Sequence, residues 1–314
     1  MSNNIAFVFP GQGSQHVGML ADLAADSSII PQCFAEASEV LGYDLWDLCQ
    51  NDPDSSLAKT EITQPALLTA SVSLWRLWQD RSDIQPVMMA GHSLGEYSAL
   101  VCSGALGFSD AVKLVQSRGQ YMQSAVPQGE GAMAVIIGLE DDAVVAVCDE
   151  AAQGQVVAAV NYNSPGQIAI AGNAEAIERA MVIAKDKGAK RAMPLAVSVP
   201  SHCALMKPAA VQLAADLESI QINKPTITVV QNVTAEPCDS PAQIRENLVA
   251  QLYSPVRWSE SVQLMAGKGI NTLVEAGPGK VLCGLAKRID RAVTAYPIAE
   301  AAGFSGALEA LAAD

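Results

Sequence analysis

Residues Gly91-His92-Ser93-Leu94-Gly95 constrain the fold more tightly than any other stretch. They have the form G-x-S-x-G. A short apolar run, Val87–Ala90, precedes them, and a helical pattern over Glu96–Val101 follows. A turn this sharp requires small residues where backbone approaches backbone, so strand, turn and helix must follow in direct succession. The serine then projects near a helix N-terminus, where free N–H groups and the helix dipole stabilise negative charge. Read chemically, Ser93 is a nucleophile. Read structurally, the glycines serve a turn and Ser93 has no role. The bare pattern recurs by chance, and the strand–turn–helix setting is what favours the chemical reading.

The rest of the chain repeats this α/β texture. Ile5–Phe9 is an apolar, β-rich run ending at Pro10-Gly11, and a buried strand is expected there. Helical spacing covers Ser27–Leu41, Thr63–Gln79 and Ser109–Met122, with Pro31 and Pro65 as first-turn prolines. After the loop Pro127–Gly131 the order changes to strand Ala132–Leu139, helix Asp141–Ala152, strand Val156–Tyr162, turn Asn163–Gly166, strand Gln167–Ala171, helix Ala174–Lys187 and strand Ala192–Val197. This is the β-α-β-β-α-β order of a ferredoxin-like unit. A small domain inserted at 128–198 is therefore expected, inside a larger discontinuous domain of 1–127 and 199–314. Helices at Leu205–Ile220, Pro241–Leu252 and Trp258–Lys268, strands at Ile227–Asn232 and Thr272–Glu275, and a helix ending at Ile289 complete the reading.

The 314 residues carry 33 acidic and 19 basic side chains, a net charge of −14. That balance argues against nucleic acid and anionic membrane surfaces as partners. An acidic partner would need a local basic patch. Half the residues are hydrophobic, enough for a sizeable core. No apolar run reaches the ~18 residues of a membrane span. Met1–Phe9 lacks the basic-then-apolar order of a secretory signal, so a cytoplasmic protein is expected. Seven dispersed cysteines with no CxxC read as reduced thiols, and neither a disulfide framework nor a metal site is expected.

A serine nucleophile needs a base, and the chain has three histidines: His16, His92 and His202. His92 adjoins Ser93 on a sharp turn, so its ring is expected to point elsewhere. His202 lies in Val199-Pro200-Ser201-His202-Cys203, at the junction after the insertion. It is either a catalytic base or a helix-start residue held by local hydrogen bonds. Gly11-Gln12-Gly13-Ser14-Gln15 lacks the third glycine of a dinucleotide fingerprint. It is a plain turn, or a loop lending an N–H to an oxyanion hole. Gly277-Pro278-Gly279-Lys280 lacks phosphate-loop spacing and reads as a strand–helix turn. Arg118 lies among apolar helix positions. It either snorkels to solvent or meets a substrate carboxylate. Lys185, Lys187, Lys190 and Arg191 crowd a helix C-terminus, where the macrodipole alone favours cations. They also form the strongest local positive feature, able to steer an acidic protein or a nucleotide phosphate.

Taken together, FVFPGQGSQ (7–15), TQPALLTAS (63–71), AGHSLGEYSALV (90–101), RG (118–119), NSPGQ (163–167), PSHCALM (200–206), QLYSPVRW (251–258) and EAGPGKVL (275–282) closely resemble the malonyl-CoA:acyl-carrier-protein transacylases of bacterial type II fatty acid synthesis. These segments span nearly the whole chain in family order. The resemblance implies an α/β-hydrolase-like large domain with a ferredoxin-like insertion. It implies Ser93 as acyl-carrying nucleophile, His202 as its base, and Gln251 orienting His202 through its backbone carbonyl. N–H groups of Gln12 and Leu94 would form the oxyanion hole, Arg118 would hold the malonyl carboxylate, and Asn163 would line the site. The implied partners are malonyl-CoA and acyl carrier protein, the latter bringing its own phosphopantetheine. No cofactor or metal is implied, and the chain is expected to act as a monomer. Lys185, Lys187, Lys190 and Arg191 are candidates for carrier contact. The competing readings are an acyltransferase of a malonate decarboxylase or polyketide pathway, a serine esterase or thioesterase, and a non-enzymatic nucleotide-binding module.

Overall fold

A computed structural model describes residues 4–197 and 199–312. Its strands are β1 (Ile5–Phe9), β2 (Met88–Gly91), β3 (Gly131–Ile137), β4 (Val157–Ser164), β5 (Gln167–Asn173), β6 (Arg191–Pro194), β7 (Thr228–Val230), β8 (Pro237–Cys238), β9 (Thr272–Glu275) and β10 (Thr294–Pro297). They form two sheets. The larger has the order β10-β9-β1-β2-β7-β8 and is parallel except for the β7–β8 pair. The smaller is antiparallel, in the order β4-β5-β3-β6.

β1 shows why the larger sheet is central. All five of its residues are buried, as expected for a parallel strand covered on both faces. Its side chains alternate between two cores. Phe7 meets Trp75 and Trp78 edge-on at 5.1 and 5.2 Å, on the side covered by the helix Thr60–Arg81. Ala6 and Val8 face the other layer, with Trp258, Val262 and Leu282.

The smaller sheet has the strand order of a ferredoxin-like unit, as its β-α-β-β-α-β sequence required. One face packs on the helices Asp141–Ala152 and Ala174–Asp186 through Ile136, Val147, Ile170 and Ile177. On its other face Met133, Val160 and Ala169 pack with Cys203. The two sheets are stitched at Val256, whose N–H donates to Val160 O (2.8 Å) while Val256 O accepts from Tyr162 N (3.0 Å). The α/β architecture with a separate antiparallel sheet is the one expected.

Several boundaries differ from expectation. The helix read from Thr63 begins at Thr60, so Pro65 is its sixth residue and lies inside the helix. Lys59 O already accepts from Ile62 and Thr63, which starts the helix a turn early. The strand read as Ala192–Val197 is Arg191–Pro194. The helix read from Leu205 begins as a 3₁₀ turn, Ala204–Met206, before Lys207–Glu218. The short helices Ala21–Asp26 and Leu45–Asn51, the strands β8 and β10, and the helix Ala301–Ala312 were not anticipated. The first four are too short to show a period, so tertiary contacts decide them.

Candidate active site

The site begins at the C-terminal end of β2. Ser93, between β2 and the helix Gly95–Cys102, has φ +52°, the left-handed region that side chains rarely adopt. The flanking glycines permit it. A Cβ on Gly91 would lie 1.8 Å from the main-chain carbon of Gly95, and one on Gly95 would lie 2.0 Å from Phe9 O. Asn232, just beyond β7, clamps both ends of this turn. Its Oδ1 accepts from Ser93 N (2.7 Å) and its Nδ2 donates to Gly91 O (2.6 Å).

Facing Ser93 is His202, 3% exposed and also left-handed, with φ +65°. Its main-chain N–H donates to Leu252 O at 2.9 Å. Its Nε2 is 2.8 Å from Ser93 Oγ, and its Nδ1 is 2.7 Å from the backbone oxygen of Gln251. A carbonyl only accepts, so Nδ1 carries the proton and Nε2 is free to take the serine's. Burial, reinforced by the nearby Arg118 charge, pushes the imidazole pKa down to about 3. His202 is therefore neutral, in its basic form, at pH 7.

Arg118 completes the group. Its helix, Phe108–Ser124, carries it inward, and it is 1% exposed, so the snorkelling alternative fails. Nη1 donates to Gln64 Oε1 (2.9 Å) and Nη2 to Gln251 Oε1 (3.0 Å), with Nη2 also 3.4 Å from Ser93 Oγ. Its guanidinium carbon stands 5.3 Å from the centre of the Tyr97 ring. Among the described residues no carboxylate forms an ion pair with it. Its hydrogen bonds go to neutral groups while the Glu96 carboxyl acts on it only through space, so this buried cation can receive an anion.

These groups open into a cavity of about 300 Å³ between the two sheets. Gln12, Leu94 and Asn163 line it, as do Met133 and Val281. His92 points away from Ser93, as expected. Its Nε2 is 2.8 Å from Asn163 Oδ1, and its ring packs edge-on against Trp258. Lys185, Lys187, Lys190 and Arg191 do not enter the cavity. Lys185 and Lys187 lie at the end of the helix Ala174–Asp186, Lys190 in the loop that follows, and Arg191 on β6, the strand that leads to the cavity-lining Leu195. Lys187 is already paired with Glu150 at 2.7 Å.

The Gly277–Lys280 loop wraps a carboxylate of the protein itself. The two oxygens of Glu275 accept the N–H groups of Leu282 and Cys283 at 3.0 and 2.8 Å, at the start of the helix Val281–Ile289. The strand–helix turn reading holds, and that helix end already has its anion.

Three residues of the site were not singled out from sequence: Gln64, Glu96 and Asn232. Each lies in or beside a recognisable stretch, yet its partner is 54 to 155 residues away. Glu96 is 0% exposed, and burial raises its pKa to about 7 against the lowering effects of Asn232, Gln251 and Arg118.

Known proteins share this sequence and fold. The family described as "Acyl transferase domain" matches residues 6–303. The chain belongs to the acyl transferase family. It is 59% identical over 304 residues to the malonyl CoA-acyl carrier protein transacylase of Escherichia coli (strain K12), covering 97% of this chain and 98% of that one. A solved acyl carrier protein S-malonyltransferase from Vibrio cholerae is 56% identical, with a TM-score of 0.95 over 97% of this chain and 99% of that one. A malonyl-transacylase solved in complex with a type II PKS acyl-carrier protein is also 56% identical, with a TM-score of 0.96 over 98% and 99%. This acyl transferase is thus an enzyme of the same fold as those relatives.

With His202 neutral, the acid limb of kcat/KM for acyl transfer is expected below pH 5, not near the 6.5 of a free imidazole. The profile is best recorded in Glu96→Gln, which removes the carboxyl that titrates near 7. A limb at pH 6–7 that persists in this variant would contradict a neutral, buried His202.

Proposed function

We propose that this acyl transferase moves the malonyl group from malonyl-CoA to the phosphopantetheine thiol of acyl carrier protein, through a malonyl ester on Ser93, and so supplies extender units for fatty acid synthesis. The observation that carries this reading is the buried guanidinium of Arg118, ion-paired with no carboxylate among the described residues and lying 3.4 Å from the Ser93 hydroxyl. An esterase for neutral acyl groups gains nothing from such a cation.

Ser93 Oγ attacks the thioester carbonyl while His202 Nε2 takes its proton. The N–H groups of Gln12 and Leu94 receive the developing oxyanion, each worth on the order of 3 kcal/mol when well aligned. The C–S bond breaks, and CoA leaves as a thiol with the proton from His202. The phosphopantetheine thiol then loses its proton to His202 and attacks the ester; the bond to Ser93 Oγ breaks, and His202 returns the proton to that oxygen. The cycle is a ping-pong double displacement. Throughout, Arg118 pairs with the malonyl carboxylate, and Asn163 lines the acyl channel. The Gln251 carbonyl orients His202 without placing a second anion beside it.

Residues 128–198 act in this reading as an inserted domain that roofs the cavity, carried by a larger domain of 1–127 and 199–314. One chain suffices, because every group invoked comes from it, which supports a monomer. The reading calls for no metal or bound cofactor, and places the protein in the cytoplasm. No helix among the described residues is long and apolar enough to cross a membrane.

The carrier itself is acidic in this reading, while the enzyme has a net charge of −14. Docking then depends on local cations, and Lys185, Lys187, Lys190 and Arg191 are the candidates. Charge reversal at Lys190 and Arg191 is expected to raise KM for the carrier several-fold more than KM for malonyl-CoA. An unchanged carrier KM would remove this patch from the docking surface.

The function is tested by intact-mass and peptide mapping after mixing with malonyl-CoA, with Ser93→Ala as control. One malonyl adduct on Ser93, drained by carrier thiol faster than by water, is the expected result. An unmodified wild-type chain, or an adduct lost only to water, would overturn the transacylase reading.

A further inference from the structure

Beneath the serine turn lies a carboxyl group that the mechanism above does not use. Glu96 is the second residue of the helix Gly95–Cys102 and is fully buried. One oxygen, Oε2, accepts two N–H groups: Asn232 N at 2.9 Å and Gln251 Nε2 at 2.9 Å. The other, Oε1, has no hydrogen-bond partner among the described residues. The Gln251 amide nitrogen thus faces acceptors: Glu96 Oε2 at 2.9 Å, Ser93 O at 3.0 Å and, at the longer distance of 3.5 Å, Asn232 Oδ1. Its oxygen must then face the other way, and there it accepts from Arg118 Nη2 at 3.0 Å.

This arrangement has one sense. Turning the Gln251 amide over would set its oxygen against Ser93 O and, when Glu96 is ionised, against Oε2 as well, acceptors with no proton between them. It would also set its NH₂ against a guanidinium that has only donors. The amide assignment therefore follows from its neighbours. Glu96 and Ser93 O together dictate which end of Gln251 meets Arg118.

We infer that Glu96 is a positioning residue: its carboxyl oxygen orients the Gln251 amide, whose carbonyl aims the Arg118 guanidinium at the acyl carboxylate. The inference rests on the malonyl reading of the site and adds to it the origin of the selectivity. Gln251 then serves the site twice. Its backbone carbonyl orients His202, and its side chain orients Arg118. Both bonds to Glu96 end on a single oxygen, so the acceptor and its reach matter, and the charge does not. The raised pKa of Glu96 agrees, because the neutral carboxyl keeps a carbonyl oxygen for the same two donors.

The test compares malonyl-CoA with acetyl-CoA as donors, reading kcat and KM for each. Glu96→Gln keeps an oxygen at the same reach, and Glu96→Asp keeps the charge but withdraws it by one methylene. Glu96→Gln is expected to hold the malonyl-to-acetyl preference within about twofold of wild type. Glu96→Asp is expected to lower that preference at least ~10-fold, chiefly through KM for malonyl-CoA, with acetyl transfer largely kept. Glu96→Met is the second probe, with the same expectation, should the aspartate variant not fold. An unchanged preference in whichever of these folds would overturn the inference. So would an equal fall in both donors, which marks a merely structural role, or a Glu96→Gln variant as impaired as Glu96→Asp. A wild-type enzyme that forms no malonyl ester would overturn the function itself, and this inference with it, so the two failures are distinguishable.

Discussion

Replacing His202 with alanine is expected to slow malonyl-Ser93 formation by about 10³-fold, within the 10²–10⁴ range of general-base losses. Ser93 Oγ has one base in contact, His202 Nε2 at 2.8 Å. His92, its neighbour in sequence, is bonded to Asn163 Oδ1 at 2.8 Å and cannot replace it. The imidazole is held by a main-chain carbonyl, that of Gln251, at 2.7 Å. No side-chain substitution removes that acceptor, so His202 itself is the direct probe. The check is a single-turnover measurement of acyl-enzyme formation, with circular dichroism to confirm folding. A folded variant within tenfold of wild type would show that another group takes the serine proton.

Arg118→Ala is expected to reduce kcat/KM for malonyl-CoA by at least ~10²-fold, corresponding to about 3 kcal/mol for a lost buried charge pair. The guanidinium is 1% exposed and makes no ion pair with a carboxylate among the described residues. A malonyl carboxylate supplies one. An acetyl group leaves the cation desolvated and unpaired, which is the physical basis for rejecting it. Transfer from acetyl-CoA should therefore hold or improve in the variant while malonyl transfer falls. The acetyl arm also serves as a control. Arg118 supports the side chains of Gln64 and Gln251, and damage to that support would depress both donors together. A variant that still strongly prefers malonyl-CoA would place the carboxylate elsewhere.

Much of this enzyme was legible because the decisive constraints are local. The β1 run IAFVF is short, β-rich and apolar at every position, as a strand covered on both faces requires. The order of the elements between Gly131 and Pro194 carried the small antiparallel sheet, since β-α-β-β-α-β has few closed solutions. Legibility failed where the cause is distant. Pro65 lies inside its helix because Lys59 O captures the chain a turn earlier. β8 is two residues long and exists through its pairing with β7.

The candidate site divides in the same way. Residues 91–95 mark the sharp turn in the sequence: a side chain at Gly91 would collide with the Gly95 backbone inside the turn itself, whereas the space at Gly95 is closed by Phe9 O of β1. The apolar setting of Arg118 was readable too, but whether it faced solvent or a cleft was not. Residue spacing could not say that Asn232 clamps both ends of the serine turn, or that Glu96 reaches Gln251 across 155 residues. The sharp turn argued against His92 as the base, but spacing alone left the role of His202 open. Ser93 passes over the ring one position away and bonds to His202, 109 residues on. Local sterics set the direction of the backbone at the turn. Which groups then fall within 3 Å of it depends on how the two sheets and their helices close around the cavity, and only packing decides that.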